Sequence, residues 1–554
     1  MMDKIWLHNY PKNIPENIDK NPYSSIVDLI NDADKKFKNN IAFTNLNTDI
    51  SYNSIANYSN KFASYLQNHL HLTKGNKIGI MLPNLHTFPV CFFGALKCGL
   101  TVVNINPLYK YREIESVLID SKLDTIVVFD KFLNELEKII DNTQIKNVIV
   151  CNASDLLSFS MKVIVNFVQL YKGEVHSINS KYHKFSKVIK CKNGFSEIKL
   201  SGDDIALLQY TGGTTGKSKA AILTHKNLLS NISQLSLWVK SHIKIGEEVV
   251  ITALPLYHIF SLTVNLLYFY YIGSRNILIT NPRDLKNFVR TLKKYKFTVI
   301  TAVNTLFNLL LTSSTFRNIN FRKLKFSIGG GMAVLKSTAN NWKKTTGCEI
   351  TQGYGLTETS PIVTVNKIED KFNSTIGLPL PSTEISIRDL HGNELGIGAE
   401  GELCVRGPQV MGGYWNNIKE TKNVFTSDGF FMTGDIARID SNGFISIVDR
   451  KKDMIISSGF NVYPNEIEEY VSSHPGILEC GVIGKEDKNR GESIILYAVR
   501  HDEDLSESDI IEFCKKGLTI YKIPKKVFFI NELPKNNVGK ILRRKLRESE
   551  LSVK

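Results

Sequence analysis

The segment from Tyr210 to Ala221, YTGGTTGKSKAA, combines glycines, hydroxyl side chains and lysines in a pattern that suits phosphate binding. Because glycine lacks a Cβ, the backbone N–H groups around it can converge on an anion. Hydroxyls add hydrogen-bond donors, and lysines direct positive charge toward phosphate oxygens. The candidate phosphate-binding residues are Tyr210, Thr211, Gly212, Gly213, Thr214, Thr215, Gly216, Lys217 and Lys219. The composition predicts a nucleotide-phosphate loop; a flexible Gly/Thr surface turn is the structural alternative.

This segment differs from the P-loop pattern GxxxxGK[ST], since Thr211 stands where the first glycine is required. In a P-loop the helix follows at the lysine itself. The residues 221–239, AILTHKNLLSNISQLSLWV, instead indicate the start of a separate helix. A P-loop ATPase is therefore disfavoured.

Length and composition indicate a soluble protein of at least two domains. The chain has 554 residues, too many for one hydrophobic core, with 42% apolar and 22% charged residues. The net charge is +15, but lysine is abundant along the whole chain and no basic stripe is interleaved with aromatic residues, so nucleic acid is not an expected partner.

Cysteine spacing and apolar runs indicate a cytosolic location. None of the eight cysteines forms a CxxC pair, so we expect reduced, mostly buried thiols rather than a zinc site or a disulfide framework. The first residues contain no apolar run typical of a secretory signal, and no stretch of eighteen apolar residues is present.

The pattern of apolar residues divides the chain into three regions. Helical spacing and short β-branched runs alternate over 24–130 and again from about 199 to 375, which predicts an α/β domain with buried sheets. From 376 to about 450 short strands separated by glycine turns predict a β-rich subdomain. The last hundred residues have their own alternation of helices and strands, which predicts a small second domain over 451–554.

Residues 155–194 allow two interpretations. The apolar stretch LLSFSMKVIVNFVQLY, residues 156–171, is followed by a lysine-rich tract. An apolar helix beside such a tract can lie on an anionic membrane surface. It can equally be an ordinary covered helix followed by a solvated loop.

Several further motifs occur together with the phosphate loop, in a fixed order along nearly the whole chain. They are GGGM at 329–332, QGYGLTET at 352–359, FFMTGDIARID at 430–440, VDRKKDMIISSGFNVYPNEIE at 448–468 and PKNNVGKILRRKLR at 534–547. The set resembles the core motifs of the adenylate-forming superfamily. The additional segments YRE at 111–113 and LPLYHIF at 254–260 resemble bacterial long-chain-fatty-acid–CoA ligases.

This resemblance implies the roles of the nucleotide-binding residues. The phosphate loop would hold the β- and γ-phosphates of ATP, and Tyr354 would pack on adenine opposite the Gly330–Gly331 backbone. Thr357 would bond the α-phosphate, and Glu358 would be the Mg²⁺ ligand. Asp435 would accept hydrogen bonds from the ribose hydroxyls.

The resemblance also implies roles for Arg450 and His258, and for residues that face the site in one of two half-reactions. Arg450 would bind the ribose or the phosphate, and Lys540 would reach the α-phosphate and carboxylate during adenylation. The small domain would then rotate about a hinge at Lys452, after which Gly459 would let the pantetheine arm of CoA pass. His258 would line the acyl site as a positioning group; a core histidine with a local hydrogen bond is the alternative.

Taken together, the resemblance implies an α/β fold: a large N-terminal domain over 1–450, with α/β subdomains and a β-rich subdomain, plus a small mobile C-terminal α+β domain. It implies an AMP-forming long-chain acyl-CoA synthetase that uses ATP, Mg²⁺ and CoA. We expect a cytoplasmic enzyme that contacts the inner face of the membrane peripherally, because its substrate partitions there. The sequence leaves open whether the protein forms a homodimer. The rivals are a ligase for another acid or for acyl carrier protein, and a non-catalytic sensor of acyl-adenylate or acyl-CoA.

Overall fold

The computed structural model describes residues 4–173, 178–192, 194–211, 218–457, 460–487, 491–536 and 539–551. Within these ranges the strands form sheets of nine, seven, five and four strands. In chain order the strands are β1 Ile41–Asn45, β2 Thr48–Ser51, β3 Lys77–Met81, β4 Thr101–Asn104, β5 Thr125–Phe129, β6 Asn147–Cys151, β7 His183–Lys184, β8 Ile205–Thr211, β9 Lys219–Thr224, β10 Val249–Thr252, β11 Arg275–Leu278, β12 Val299–Ala302, β13 Phe326–Gly329, β14 Ile350–Gly355, β15 Ile362–Val365, β16 Leu378–Pro379, β17 Glu384–Arg388, β18 Gly401–Arg406, β19 Phe431–Ile439, β20 Ile445–Arg450, β21 Ile455–Ser457, β22 Phe460–Val462, β23 Ile477–Asp487, β24 Gly491–Arg500 and β25 Lys526–Phe529.

The helices lie between these strands and cover the sheets. They are α1 Ile26–Lys36, α2 Tyr52–Asn68, α3 Thr87–Lys97, α4 Tyr111–Ser121, α5 Leu133–Glu137, α6 Phe159–Tyr171, α7 Phe185–Val188, α8 His225–Val239, α9 Ile259–Ser261, α10 Phe269–Tyr271, α11 Leu285–Lys294, α12 Asn304–Thr312, α13 Ser314–Arg317, α14 Lys336–Thr346, α15 Ile418–Asn423, α16 Pro464–Val471, α17 Glu507–Gly517 and α18 Arg543–Leu551. A π-helical segment, Leu262–Tyr268, joins α9 to α10.

Two large sheets form the core of the N-terminal region. Their strand orders are β7-β6-β5-β3-β4-β8-β9 and β16-β15-β14-β13-β12-β10-β11-β1-β2, and the central pairs are parallel. Strand β5 is buried at every position, as expected for a parallel strand covered by helices on both faces. The sequence-based prediction of an α/β domain with buried sheets is confirmed.

The residues after the phosphate loop form a strand before they form a helix, so the prediction of a helix over 221–239 is wrong at its start. Strand β9 pairs antiparallel with β8, and Ala220 and Leu223 are buried in that pairing. Helix α8 begins only at His225, because the Thr224 side chain accepts the Asn227 N–H and caps it. The loop thus joins two antiparallel strands, which is unlike the strand–loop–helix of a P-loop.

The region 155–194 contains an uncovered helix, so the ordinary covered helix is the wrong alternative. All thirteen residues of α6 are described, and none is buried. The following tract is also more than a solvated loop, because α7 buries Phe185 and Val188.

Two smaller sheets complete the chain. The four-stranded sheet β17-β18-β19-β20 is antiparallel and corresponds to the predicted β-rich region. The C-terminal sheet has the order β22-β21-β24-β23 with β25 beside β24, and α16 and α17 pack on a separate apolar cluster there. Among the described residues, no helix has the length and apolar character needed to cross a bilayer.

Candidate active site

The parallel strands β13 and β14 end side by side, which brings Gly330 next to the backbone before Tyr354. A Cβ at position 330 would lie 3.2 Å from the Phe260 ring and 3.3 Å from the Gly353 carbonyl oxygen. Gly331 has φ +77°, a backbone conformation that favours glycine. Backbone rather than side chain therefore borders the cleft, which suits the close approach of a flat ring.

The Asp435 carboxylate lies between Tyr354 and Arg450. The Tyr354 hydroxyl donates to Asp435 Oδ2 at 2.6 Å, and Arg450 Nε lies 2.7 Å from Asp435 Oδ1. Asp435 and Arg450 are opposite each other in the β19–β20 pairing, so the sheet register fixes this contact. Burial, followed by the Asp435 charge, raises the pKa of Tyr354 well above its ordinary value, so the phenol is a neutral donor.

Glu358 is joined to the phosphate loop through Tyr414. It lies buried in a 3₁₀ turn that Thr357 opens, and the Tyr414 hydroxyl donates to Glu358 Oε1 at 2.8 Å. The Lys219 ammonium lies 5.5 Å from the centroid of the same Tyr414 ring and forms an ion pair with Glu420. The lysine and the carboxylate are therefore neighbours although they are far apart in sequence.

This donor set fits Mg²⁺. Among the described residues no group of three or more His, Cys, Asp or Glu side chains could hold a metal by itself. Mg²⁺ commonly takes one or two protein carboxylates, with substrate phosphates and water completing its shell. A single buried carboxylate, Glu358, beside a hydroxyl, Thr357, matches that requirement.

Lys540 reaches the site from the C-terminal region. Burial lowers the pKa of Lys540 to about 8, and the positive charge of Arg450 adds to this effect. The preceding Gly539 has φ +84°, and a Cβ there would lie 2.3 Å from Thr305 Oγ1. The loop that carries Lys540 is therefore packed directly against the large domain.

His258 is held as a neutral imidazole next to Lys540. It caps α9, and its Nδ1 accepts the Phe260 N–H at 3.4 Å. Burial lowers the pKa of His258 to about 4, and the Lys540 charge lowers it further. With Nδ1 as acceptor, the proton lies on Nε2, which is then the donor available to a ligand.

The side chains of Lys451 and Asp453, on either side of Lys452, contact different domains. The Lys451 N–H donates to the Gly434 oxygen at 3.0 Å, and its ammonium lies 2.9 Å from Glu402, both in the large domain. Asp453 lies 3.0 Å from Arg547 in the small domain. The contacts on either side thus agree with a hinge at Lys452.

Other predicted site residues lie outside the described residues or make different contacts. Gly212, Gly213, Thr214, Thr215, Gly216, Lys217 and Gly459 lie outside the described residues. Thr211 pairs with Lys219 at the base of the loop. The Tyr210 hydroxyl donates to Asp120 Oδ2 at 2.6 Å, so this phenol already ties β8 to α4.

Sequence reasoning missed Tyr414 and Glu420. Neither belongs to a motif, and Tyr414 is 56 positions from the carboxylate that it contacts. The glycine pair before Tyr414 is the one local signal of a close backbone approach at this place.

Comparison with known proteins places this geometry in a family. Residues 30–415 match the model of the AMP-binding enzyme family, and residues 466–540 match its C-terminal domain. A long-chain-fatty-acid–CoA ligase of Yersinia pestis is 45% identical and covers 100% of this chain and 99% of its own length; the Haemophilus influenzae ligase of that name is 44% identical, covering 100% and 99%. ATP-bound MatB from Rhodopseudomonas palustris superposes with a TM-score of 0.82 at 26% identity, covering 95% of this chain and 99% of its own. The chain belongs to the AMP-binding, adenylate-forming enzyme family, as its motifs predicted.

Proposed function

We propose that this protein is an AMP-forming long-chain fatty acid–CoA ligase. In the first step a carboxylate oxygen attacks the α-phosphorus of ATP, which forms an acyl-adenylate and releases pyrophosphate. In the second step the thiol sulfur of CoA attacks the acyl carbonyl, loses its proton and displaces AMP. The full-length similarity to long-chain-fatty-acid–CoA ligases supports the reaction and the substrate class together.

The position of Lys540 is the single observation that carries this proposal. A buried lysine of the small domain is within electrostatic range of Arg450, Asp435 and His258 of the large domain. Lys540 and Arg450 bring two positive charges to this place. The attack of a carboxylate on the ATP α-phosphate brings two negative groups together, and these cations would neutralise their charge. The neutral His258 would donate from Nε2 to the substrate carboxylate and orient it.

The remaining residues would hold ATP. Asp435 would receive the ribose hydroxyls, with Tyr354 against the adenine and Lys219 at the polyphosphate. Glu358 and Thr357 would hold Mg²⁺, which supplies positive charge to the phosphates. The buried Tyr414 hydroxyl fixes one oxygen of Glu358 and so limits the direction from which the carboxylate can bind.

The second step needs Lys540 to leave the site. In the described arrangement its loop lies against Thr305 of the large domain. Rotation of residues 451–554 about Lys452 would remove this loop and present the segment around Gly459 instead. We propose a cytoplasmic enzyme that contacts the inner face of the membrane, where its substrate partitions.

Product analysis with ATP, CoA and saturated acids from acetate to stearate tests this function. The expected result is one AMP per acyl-CoA, with pyrophosphate released and a preference for long acids. Pyrophosphate release without acyl-CoA would move the acceptor to another thiol, such as acyl carrier protein. Production of ADP, or no turnover with any acid, would overturn the proposal.

A further inference from the structure

Helix α6 presents apolar side chains to the solvent. Of its thirteen residues, all described, Phe159, Phe167 and Tyr171 expose 85, 68 and 86% of their surface. The other exposed apolar residues are Val163, Ile164, Val168 and Leu170. Half-buried Met161, Val165 and Gln169, spaced four apart, mark the side that faces the protein. Contiguous apolar surface of this kind on a folded protein marks an interaction site.

A basic helix, α11, lies along the same face. At the beginning of α6, the backbone N–H of the N-cap residue Ser158 donates a hydrogen bond to Thr48 Oγ1 at 3.2 Å. The ammonium of Lys294, the last residue of α11, donates a hydrogen bond to Oδ1 of the neighbouring Asn47 at 2.7 Å. The end of α11 is therefore close to the beginning of α6.

The opposite ends of the two helices are within electrostatic range of each other. Hydrogen bonds from Asn287 lower the pKa of Asp284, and the charge of Lys172 at the end of α6 lowers it further. Since Asp284 caps the beginning of α11, that end of the helix is within electrostatic range of the end of α6, while its last residue lies near the beginning of α6.

The charge of this face is almost entirely positive. Residues 283–294 contain one acidic residue and five basic ones, Arg283, Lys286, Arg290, Lys293 and Lys294. Residues 156–173 contain two lysines and no Asp or Glu. The four residues Lys286, Arg290, Lys293 and Lys294 are exposed, on the side of α11 opposite its buried Phe288 and Leu292.

We propose that α6 and α11 together form a docking surface for an anionic phospholipid membrane. The apolar residues of α6 enter the boundary between headgroups and acyl chains, and the basic residues of α11 contact the lipid phosphates. An interfacial helix binds in this way when apolar insertion is combined with attraction to anionic lipid. A protein partner that matched this face would need an acidic and an apolar surface side by side, whereas an anionic bilayer presents both everywhere.

The docking surface deepens the proposed function and rests on it, because the substrate of that function partitions into the membrane. Burial and Tyr109 raise the pKa of Tyr257, while the charge of Arg283 opposes the rise, so Arg283 lies near this phenol. Tyr257 directly precedes His258, the residue proposed to hold the substrate carboxylate. Arg283, which precedes α11, is thus linked electrostatically to the segment proposed to hold the substrate carboxylate.

Co-sedimentation with vesicles tests the docking surface on the full-length protein. We expect binding to phosphatidylcholine vesicles that contain phosphatidylglycerol, and loss of binding in high salt or without the anionic lipid. The variant F159S/F167S/L170S should lose about tenfold or more in partitioning. The matched control L390S/I418S/I520S removes three equally exposed apolar residues elsewhere and should bind like the original protein.

The variant Phe167→Trp tests whether α6 enters the bilayer or is only attracted to its charged surface. Lipids brominated on their acyl chains should quench the fluorescence of the added tryptophan. The unsubstituted protein gives the background quenching of the four native tryptophans. Sedimentation unaffected by the α6 substitutions, or absence of quenching, would overturn the assignment. So would concentration-dependent dimerisation that the same substitutions abolish, because the occupant would then be a second copy.

Assays without vesicles distinguish this proposal from the proposed function. The α6 variant should ligate a soluble medium-chain acid at the original rate, since none of its substituted residues contacts the site. Acyl-CoA formation without vesicle binding would refute only the docking surface. Vesicle binding without acyl-CoA formation would refute only the catalytic proposal.

Discussion

At the residue scale, Lys540 is the side chain whose removal separates the two half-reactions. Lys540→Ala should lower acyl-adenylate formation by about 10²–10³-fold, because a charge directed at the α-phosphate is lost. The reaction of supplied acyl-adenylate with CoA should change by less than about threefold. Pyrophosphate exchange and single-turnover thioester formation measure the two steps. Lys545→Ala, an exposed lysine on α18, is the matched control, and equal loss of both steps would refute the assigned role.

The depressed pKa of Lys540 predicts a pH dependence of the same step. Burial lowers this pKa to about 8, below the value of about 10.4 for an exposed lysine, so the charged form is lost in the free enzyme as pH rises through 8. The adenylation kcat/KM, which reports the free enzyme, should fall above pH 8. In Lys540→Arg this decline should move to higher pH, since guanidinium stays protonated. Identical profiles would exclude Lys540 as the titrating group.

Glu358 should determine the requirement for Mg²⁺. Glu358→Gln should raise the Mg²⁺ concentration at half-maximal adenylation by about tenfold or more, since a charged oxygen ligand becomes a neutral one. Tyr414→Phe should cause a smaller shift, because it only frees the carboxylate to rotate. Glu420→Gln is the control, a carboxylate that pairs with Lys219 instead. An unchanged Mg²⁺ titration in Glu358→Gln would remove it from the metal site.

At the scale of elements, α18 is anchored by its first residue. Arg543 lies 2.8 Å from Glu468, 3.4 Å from Asp453 and 3.7 Å from Asp449, so it joins both sides of the hinge. Arg543→Ala should lower the free energy of unfolding of the small domain by about 3–5 kcal/mol, because buried carboxylates lose their partner. The adjacent Arg544→Ala breaks only an exposed pair with Glu548 and should cost less than about 0.5 kcal/mol. Denaturant unfolding and limited proteolysis compare them, and equal stability would contradict this role.

Sequence patterns located most elements but few of the contacts between them. One of the short β-branched runs predicted as strands over 24–130 is LDTIVVFD, residues 123–130, and β5 occupies Thr125–Phe129 within it. The strand β9 was missed, since AAIL fits a strand or a helix until its partner β8 is known. Exposure of α6 was equally undetermined, because an apolar sequence does not specify what covers it.

The candidate site shows the same limit. Motifs identified Asp435 and Arg450 separately, and the β19–β20 register brought them together. The link from Glu358 to Lys219 through Tyr414 depends on three segments that meet only in the folded chain. Such contacts have no signal in the spacing of residues along one sequence.

At the scale of the whole molecule, the proposed function requires one active site to serve two reactions by exchanging the surface that faces it. In the described arrangement Lys540 is buried within electrostatic range of Arg450 and Asp435, so under the proposed function this is the form suited to adenylation. The adjacent loop contact gives a means of fixing this form. A Cβ at Gly539 would lie 3.4 Å from Thr305 Cβ, close to the 3.5–4.5 Å that a disulfide spans.

Thr305→Cys combined with Gly539→Cys should lock the small domain in place when oxidised. Adenylate formation should continue, thioester formation should fall by about a hundredfold or more, and dithiothreitol should restore it, since only the reduced form can rotate. The positive φ of Gly539 strains any substitution there, so the same protein before and after reduction is the comparison, with Gly539→Cys alone as the control for strain. Undiminished thioester formation in the cross-linked protein would show that both reactions proceed in one arrangement.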